Sequence, residues 1–322
     1  MSQLPIEAVI PELLEGVKSH TQLILKAAPG AGKSTYFPLR LLKDAHLEGK
    51  IIMLEPRRLA ARNIARYLAL QLGEPVGVSV GYRVRGDAQV SQQTMLEIVT
   101  EGILTRMIQA DPELTGVSLL LFDEYHERSI HADTALALCL DIQSALRDDL
   151  RIVVMSATLD SLALQTLLPD AHYIESMGRG FTIDYRYQPP LTHDSMVLAM
   201  VKQVIHLMST EPGSLLAFLP GVSAIRQVEQ QLLLAQESDR LAADIDICPL
   251  YGQLDFAKQQ RAIEPPPDGR RKVVLATNIA ETSLTIEGIR LVVDSGLERV
   301  ARFDINTGIT RLDEVRIAQS SA

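Results

Sequence analysis

Short, nearly continuous apolar runs alternate along this chain with longer stretches of helical periodicity. The runs at 22–27, 50–54, 118–122 and 151–155 read as buried strands, as do those at 214–219, 246–250, 272–276 and 290–294. Between them, 57–72, 132–146, 197–208 and 222–234 carry apolar residues at helix spacing. Continuous apolar strands alternating with helices predict parallel sheets covered on both faces, an α/β class. The stretch 178–190, with Gly178, Gly180, Pro189 and Pro190, interrupts the alternation around a short strand-like run at 181–187. Each side keeps its own strand–helix series, so two α/β domains are expected, 1–180 and 181–322. Near the end, 298–303 and 309–314 flank Asn306-Thr307-Gly308 and predict a β-hairpin.

The length of 322 residues fits two domains of roughly 150 each. With 47% hydrophobic and 22% charged residues the composition is globular, which excludes disorder and coiled coil. The apolar runs fall short of the roughly 20 residues of a membrane helix, and no export signal opens the chain. A cytoplasmic protein without a membrane partner is therefore expected. Cys139 and Cys248 lie far apart in apolar surroundings and read as core residues. A net charge of −9 argues against a general electrostatic grip on nucleic acid. It leaves room for a narrow groove with a few placed basic and backbone donors.

The sharpest local pattern is Ala27-Ala28-Pro29-Gly30-Ala31-Gly32-Lys33-Ser34-Thr35, after a predicted strand and before a helix it is expected to open. Glycines let backbone amides converge on phosphate oxygens, a helix N-terminus adds positive potential, and a lysine and a hydroxyl meet the terminal phosphates and Mg²⁺. Ala27 stands where the strict pattern has glycine. The second pattern is Phe122-Asp123-Glu124-Tyr125-His126-Glu127-Arg128, directly after an apolar run. Carboxylates at the C-terminal end of a parallel strand sit at the ligand edge of such a sheet. There Asp123 and Glu124 are suited to hold Mg²⁺ through water, and Glu124 to orient or deprotonate an attacking water. Together the two patterns indicate nucleotide hydrolysis.

Further blocks appear in a fixed order: Glu55-Pro56-Arg57-Arg58-Leu59-Ala60-Ala61, Thr100-Glu101-Gly102, Ser156-Ala157-Thr158, Phe218-Leu219-Pro220-Gly221, and the long run from Ala276 to Ile286. With the phosphate loop and Asp123 to His126, this set resembles the DEAH/RHA-type superfamily 2 RNA helicases, and the resemblance covers nearly the whole chain. It implies two RecA-like P-loop NTPase domains in tandem, with ATP, Mg²⁺ and single-stranded RNA as ligands, DNA being left open. It implies nucleotide contacts from Pro29 to Thr35 and from Ser283, Thr285 and Glu287, with Lys33 on the β- and γ-phosphates and Ser34 on the metal. His126 would contact Ser156 and Thr158, which would couple nucleotide state to domain movement. RNA would meet Arg57, Arg58, Thr100, Gly221, Thr277 and Asn278, chiefly through phosphate and sugar. The terminal hairpin resembles the family's strand-separating hairpin, and a monomer is expected.

The chain also departs from the family. Tyr125 replaces its usual Ala, and Glu287 its usual Asp. Ile263 stands where an aromatic often clamps the base against the region of Arg66 and Tyr67, so use of several nucleoside triphosphates is expected. In the family a Q-R-x-G-R-x-G-R motif follows the hairpin, whereas this sequence ends at Ala322. The chain thus reads as part of a longer helicase, its second domain incomplete, binding nucleotide but hydrolysing it poorly; an arginine finger contributes roughly 10³ to 10⁵ in rate. Two other readings compete: a nucleotide-gated RNA clamp or scaffold, and a P-loop kinase of a small molecule, in which the later blocks would have no task.

Overall fold

The computed structural model describes residues 4–157, 161–178, 182–188, 195–280 and 286–318, without the side chains of 161–163 and 279. The chain divides into two compact units, Met1–Thr182 and Ile183–Ala322. The division falls inside the glycine- and proline-bearing stretch.

The first unit is built on eight strands: β1 (Gln22–Ala27), β2 (Lys50–Leu54), β3 (Val80–Val84), β4 (Asp87–Gln89), β5 (Leu96–Val99), β6 (Val117–Phe122), β7 (Arg151–Ser156) and β8 (His172–Ser176). Their order in the sheet is β4-β3-β5-β2-β6-β7-β1-β8. Every pairing is parallel except that of β3 with β4, a short edge strand. Its helices are α1 (Ile10–Ser19), α2 (Tyr36–Asp44), α3 (Arg58–Leu72), α4 (Glu101–Ala110), α5 (Ile130–Ala145) and α6 (Ser161–Leu167).

Successive strand residues point to opposite faces. Leu23, Leu25, Met53, Leu121 and Val153 therefore pack with Leu13, Phe37 and Leu68 of α1 to α3 on one side. Ile24, Ile52, Phe122 and Val154 pack with Leu104, Leu136 and Cys139 of α4 and α5 on the other. This two-sided burial is what makes the strands apolar throughout. Local signals fix the helix ends. Gly73 closes α3 in the left-handed conformation (φ 74°), and the Ser129 side chain accepts the Ala132 amide at the start of α5.

The second unit contains α7 (Met196–Thr210), β9 (Ser214–Phe218), α8 (Val222–Glu237), β10 (Ile245–Leu250), α9 (Phe256–Ile263), β11 (Arg271–Ala276) and β12 (Ile289–Asp294). The four strands form a parallel sheet in the order β10-β11-β9-β12. Val204 and Met208 of α7 and Val228 and Leu232 of α8 cover Leu215, Val273 and Leu275. The expected hairpin follows as β13 (Leu297–Asp304) and β14 (Ile309–Arg316), antiparallel, with the Gly308 amide donating to the Asp304 carbonyl at 2.8 Å.

One expected strand is absent. Residues 182–188 carry no strand, and Ile183, Tyr185 and Tyr187 are all exposed. Their period-two alternation faces no sheet edge and buries no face, so nothing stabilises extended pairing. Phe181 lies outside the described residues. Both cysteines are buried, and burial pushes the Cys139 thiol up to about 12.

Candidate nucleotide site and RNA-facing edges

The loop from Ala28 to Thr35 leaves the C-terminal end of β1. Gly30 and Gly32 both take positive φ, 74° and 101°, which a side chain would resist. A Cβ on Gly32 would also come within 3.0 Å of Ile6 Cγ2, because the N-terminal turn lies under the loop. There the Ile6 amide donates to the Ala31 carbonyl at 3.2 Å. The loop does not open directly into a helix as expected. The Gly32 carbonyl gathers the amides of Thr35, Tyr36 and Phe37 (3.3, 2.8 and 3.2 Å), and α2 begins only at Tyr36. Pro29 and Gly30 are exposed, Ser34 and Thr35 half-buried, and Lys33 buried.

The two sequence patterns meet. Lys33 Nζ lies 2.7 Å from Glu124 Oε1, both side chains about 5% exposed. Asp123 begins the turn after β6: its amide donates to the Leu54 carbonyl (3.0 Å), and its Oδ1 accepts the Glu124 amide (2.9 Å). Asp123 Oδ2 is buried and has no hydrogen-bond partner among the described residues. Glu124 sits in the left-handed region (φ 50°), as does Arg128 (φ 49°), and between them Tyr125–Glu127 makes one tight turn. Tyr125 fills the space beneath this turn, its ring edge-on to Phe122.

The electrostatics follow from burial. Burial works against the Lys33 ammonium, but Asp123 and Glu124 outweigh it and hold its pKa above the ordinary value. Burial, aided by the charge of Asp123 and opposed by Lys33, lifts Glu124 to about 7. His126 is lowered, by burial first and Lys33 second, so the ring is neutral at pH 7; its Nδ1 lies 3.3 Å from Glu124 Oε2 without hydrogen-bond geometry.

Sequence reasoning assigned no role to Glu55. It directly follows β2, is fully buried, and accepts the Arg57 amide on Oε1 at 3.2 Å. Burial, then Asp123 and Glu124, raise its pKa well above that of an ordinary carboxyl. Nothing local in Glu-Pro-Arg-Arg signals this, because the burial comes from neighbouring strands.

The RNA candidates of this unit share the same sheet edge. Arg57 follows β2, and Arg57 Nε lies 3.5 Å from Glu127 Oε2. Arg58 is exposed and donates to the Arg85 carbonyl at 2.7 Å. Thr100 follows β5 and precedes α4. Ser156 ends β7, buried and in register with Lys26 of β1. Thr158 lies outside the described residues.

In the second unit, Gly221, Thr277 and Asn278 line one cavity of about 460 Å³ at the C-terminal ends of β9 and β11, with Tyr251 and Arg299. Glu287 is exposed just before β12, at the opposite edge of that sheet, and is not among the cavity's lining residues. Ser283 and Thr285 lie outside the described residues.

A largely parallel sheet with a phosphate loop and an adjacent Asp-Glu pair, followed by a second α/β unit, defines a P-loop NTPase core. The sequence profile "DEAD/DEAH box helicase" matches residues 6–166, and "Helicase conserved C-terminal domain" matches 197–312; the chain belongs to the DEAD/DEAH box helicases. It is 55% identical over 321 residues to the ATP-dependent RNA helicase HrpB of Escherichia coli, covering 100% of this chain and 39% of that protein. To the ATP-dependent RNA helicase HrpA of Borreliella burgdorferi it is 34% identical over 325 residues, covering 99% of this chain and again 39% of the relative. The crystal structure of the Escherichia coli DEAH/RHA helicase HrpB superposes with a TM-score of 0.92 over 99% of this chain and 40% of that one. The RecA-like fold is thereby established, and the chain spans about 39% of the length of these curated relatives.

Proposed function

We propose that this chain is the ATP-driven core of an RNA helicase, in which hydrolysis at the first unit is coupled to movement on single-stranded RNA. The observation that carries the reading is the convergence of Lys33, Asp123 and Glu124 at the C-terminal edge of one parallel sheet, with Lys33 and Glu124 2.7 Å apart. The relatives named above, both ATP-dependent RNA helicases, support the choice of nucleotide and of RNA.

The residues fit a magnesium–nucleotide complex. Asp123 Oδ2, buried and without a partner among the described residues, is an acceptor suited to a hydrated cation, and the half-buried Ser34 follows Lys33 in the loop. Ser34 would hold the metal directly and Asp123 through water. When bound, magnesium neutralises charge on the β- and γ-phosphates. The chain's own groups do the rest. The amides of Gly30 to Ser34 bind phosphate oxygens, and Lys33 leaves Glu124 for the terminal phosphates. Glu124, thus freed, orients a water and takes its proton; a carboxyl with a pKa near the working pH is suited to that. Neutral His126, beside Glu124, can accept or donate toward the Ser156 block. Arg57, Arg58 and Thr100 on one unit, and Gly221, Thr277 and Asn278 on the other, bind the RNA backbone.

The test is steady-state ATP turnover with and without oligouridine RNA, on this chain and on a version extended toward the length of its relatives, with Glu124→Gln as control. RNA-stimulated turnover that Glu124→Gln abolishes is expected. Turnover indifferent to RNA, together with no measurable RNA binding, would overturn the reading.

A further inference from the structure

Arg57 is fastened through both its backbone and its side chain. Its amide donates to Glu55 Oε1, and its guanidinium faces Glu127 at 3.5 Å, both side chains about four-fifths buried. Glu127 in turn closes the turn after β6, its amide donating to the Glu124 carbonyl at 2.9 Å. That turn is bracketed by two residues other than glycine in the left-handed region, Glu124 and Arg128. Such backbone persists only where surrounding contacts hold it. Arg128 is held by Asp133 (3.1 Å) and lies over the Tyr125 ring. The Arg57–Glu127 pair ties the turn to the segment that follows β2. In this conformation Glu124 is engaged with Lys33, so neither is free for substrate.

We propose that Glu127 is a positioning residue through which an RNA phosphate at Arg57 acts on Glu124. The proposal rests on the RNA-helicase reading above. At 3.5 Å the Nε–Oε2 contact is longer than a good hydrogen bond. A phosphate offers the guanidinium fork two shorter, charge-assisted bonds. Phosphate therefore competes with Glu127 for Arg57. Once Arg57 turns to RNA, the strained turn loses the Arg57 brace, and Glu124 can leave Lys33. The two ligands are then coupled, and the coupling is reciprocal: nucleotide that draws Lys33 from Glu124 eases RNA binding by the same factor.

The sign of the effect separates this role from mere structural damage. Glu127→Gln keeps shape and removes the competing charge. It is expected to bind labelled oligouridine more tightly than the unsubstituted chain in the absence of nucleotide. In the unsubstituted chain, oligouridine is expected to change the affinity for a fluorescent methylanthraniloyl AMP-PNP·Mg²⁺ by about fivefold or more. In Glu127→Gln that factor should fall to within about twofold of one. In an Arg57→Ala background, Glu127→Gln should no longer alter RNA affinity, and unchanged melting temperatures would establish that each variant folds. Weaker RNA binding by Glu127→Gln, an undiminished coupling factor, or an equal effect in the Arg57→Ala background would overturn the proposal. If the unsubstituted chain bound no RNA at all, the helicase reading itself would fall, and this proposal with it. RNA binding with coupling intact in Glu127→Gln would remove only the role of Glu127.

Discussion

Lys33 and Glu124, ninety-one positions apart, form a buried ion pair of 2.7 Å between the phosphate loop and the strand-end carboxylates. Each is the charge that makes burial of the other tolerable. Replacing Lys33 by Met should therefore act twice. It removes the phosphate-binding ammonium, so nucleotide affinity falls steeply. It also leaves Glu124 and Asp123 without their cation. Removing one member of a buried pair costs about 3–5 kcal/mol, part of which Glu124 recovers by taking up a proton. A drop in the melting temperature of the nucleotide-free protein is expected, and no drop would mean that the pair contributes nothing to stability.

Glu124→Gln tests the other half of the pair. The amide keeps a hydrogen bond to spare but cannot accept a proton, so hydrolysis should fall by about 10² to 10⁴, the usual range for general-base catalysis. Binding of nucleotide should survive or strengthen, because one negative charge beside the phosphates is gone. Isothermal titration with a non-hydrolysable analogue, set against turnover, separates the two effects; parallel loss of both would contradict the assignment.

The pH dependence of stability follows from the direction of the carboxyl shifts. Glu55 and Glu124 both titrate above an ordinary carboxyl, burial being the first cause in each. In the window between the unfolded value, about 4.5, and the raised folded value, the native chain keeps a proton that the unfolded chain has lost. Stability from these groups is complete below the window and declines as pH rises through it. Glu55→Gln has no proton to lose. Its melting temperature relative to the unsubstituted protein should thus climb from pH 5 to pH 8. A difference that stays flat, or shrinks with pH, would show that Glu55 is ionised in the fold.

Such residues also mark how far the sequence could be read. The central strands β1, β2, β6 and β7 were legible because both their faces are buried, and the phosphate loop and Asp123-Glu124 because their chemistry is contiguous. Strand β5 was not. Glu97 breaks its apolar run, and the charges that make Glu97 tolerable, Lys50 at 2.8 Å and Arg83 at 2.7 Å, arrive from β2 and β3. Glu55 was passed over for the same reason: four letters that look like a solvated turn become a buried carboxyl only when β6 lies alongside. Conversely, the alternation at 181–187 looked like a strand because periodicity cannot report whether a partner edge exists.

In the second unit, Lys272 is buried on β11 and donates to the carbonyls of Ala262, Ile263 and Glu264 at 2.8, 3.3 and 2.7 Å. It caps the C-terminal end of α9, where carbonyls lack helical partners and the dipole favours a cation. Lys272→Met preserves the apolar stem but strands those carbonyls. An unsatisfied buried acceptor costs about 1–3 kcal/mol, so lower denaturant resistance of the second unit is expected. Hydrogen exchange should locate the loss in α9 and β11, and unchanged protection there would refute the capping role.

Arg58 offers a test of the nucleic-acid edge that needs no catalysis. It is exposed, and its bond to the Arg85 carbonyl leaves most of the guanidinium fork available. A backbone contact of this kind contributes counterion release but no sequence preference. Arg58→Ala should weaken binding to oligouridine and oligoadenine alike. The slope of log affinity against log salt should become shallower by about 0.7, the value for one phosphate contact on a single strand. An unchanged slope would place the RNA track elsewhere on this sheet edge, away from the start of α3.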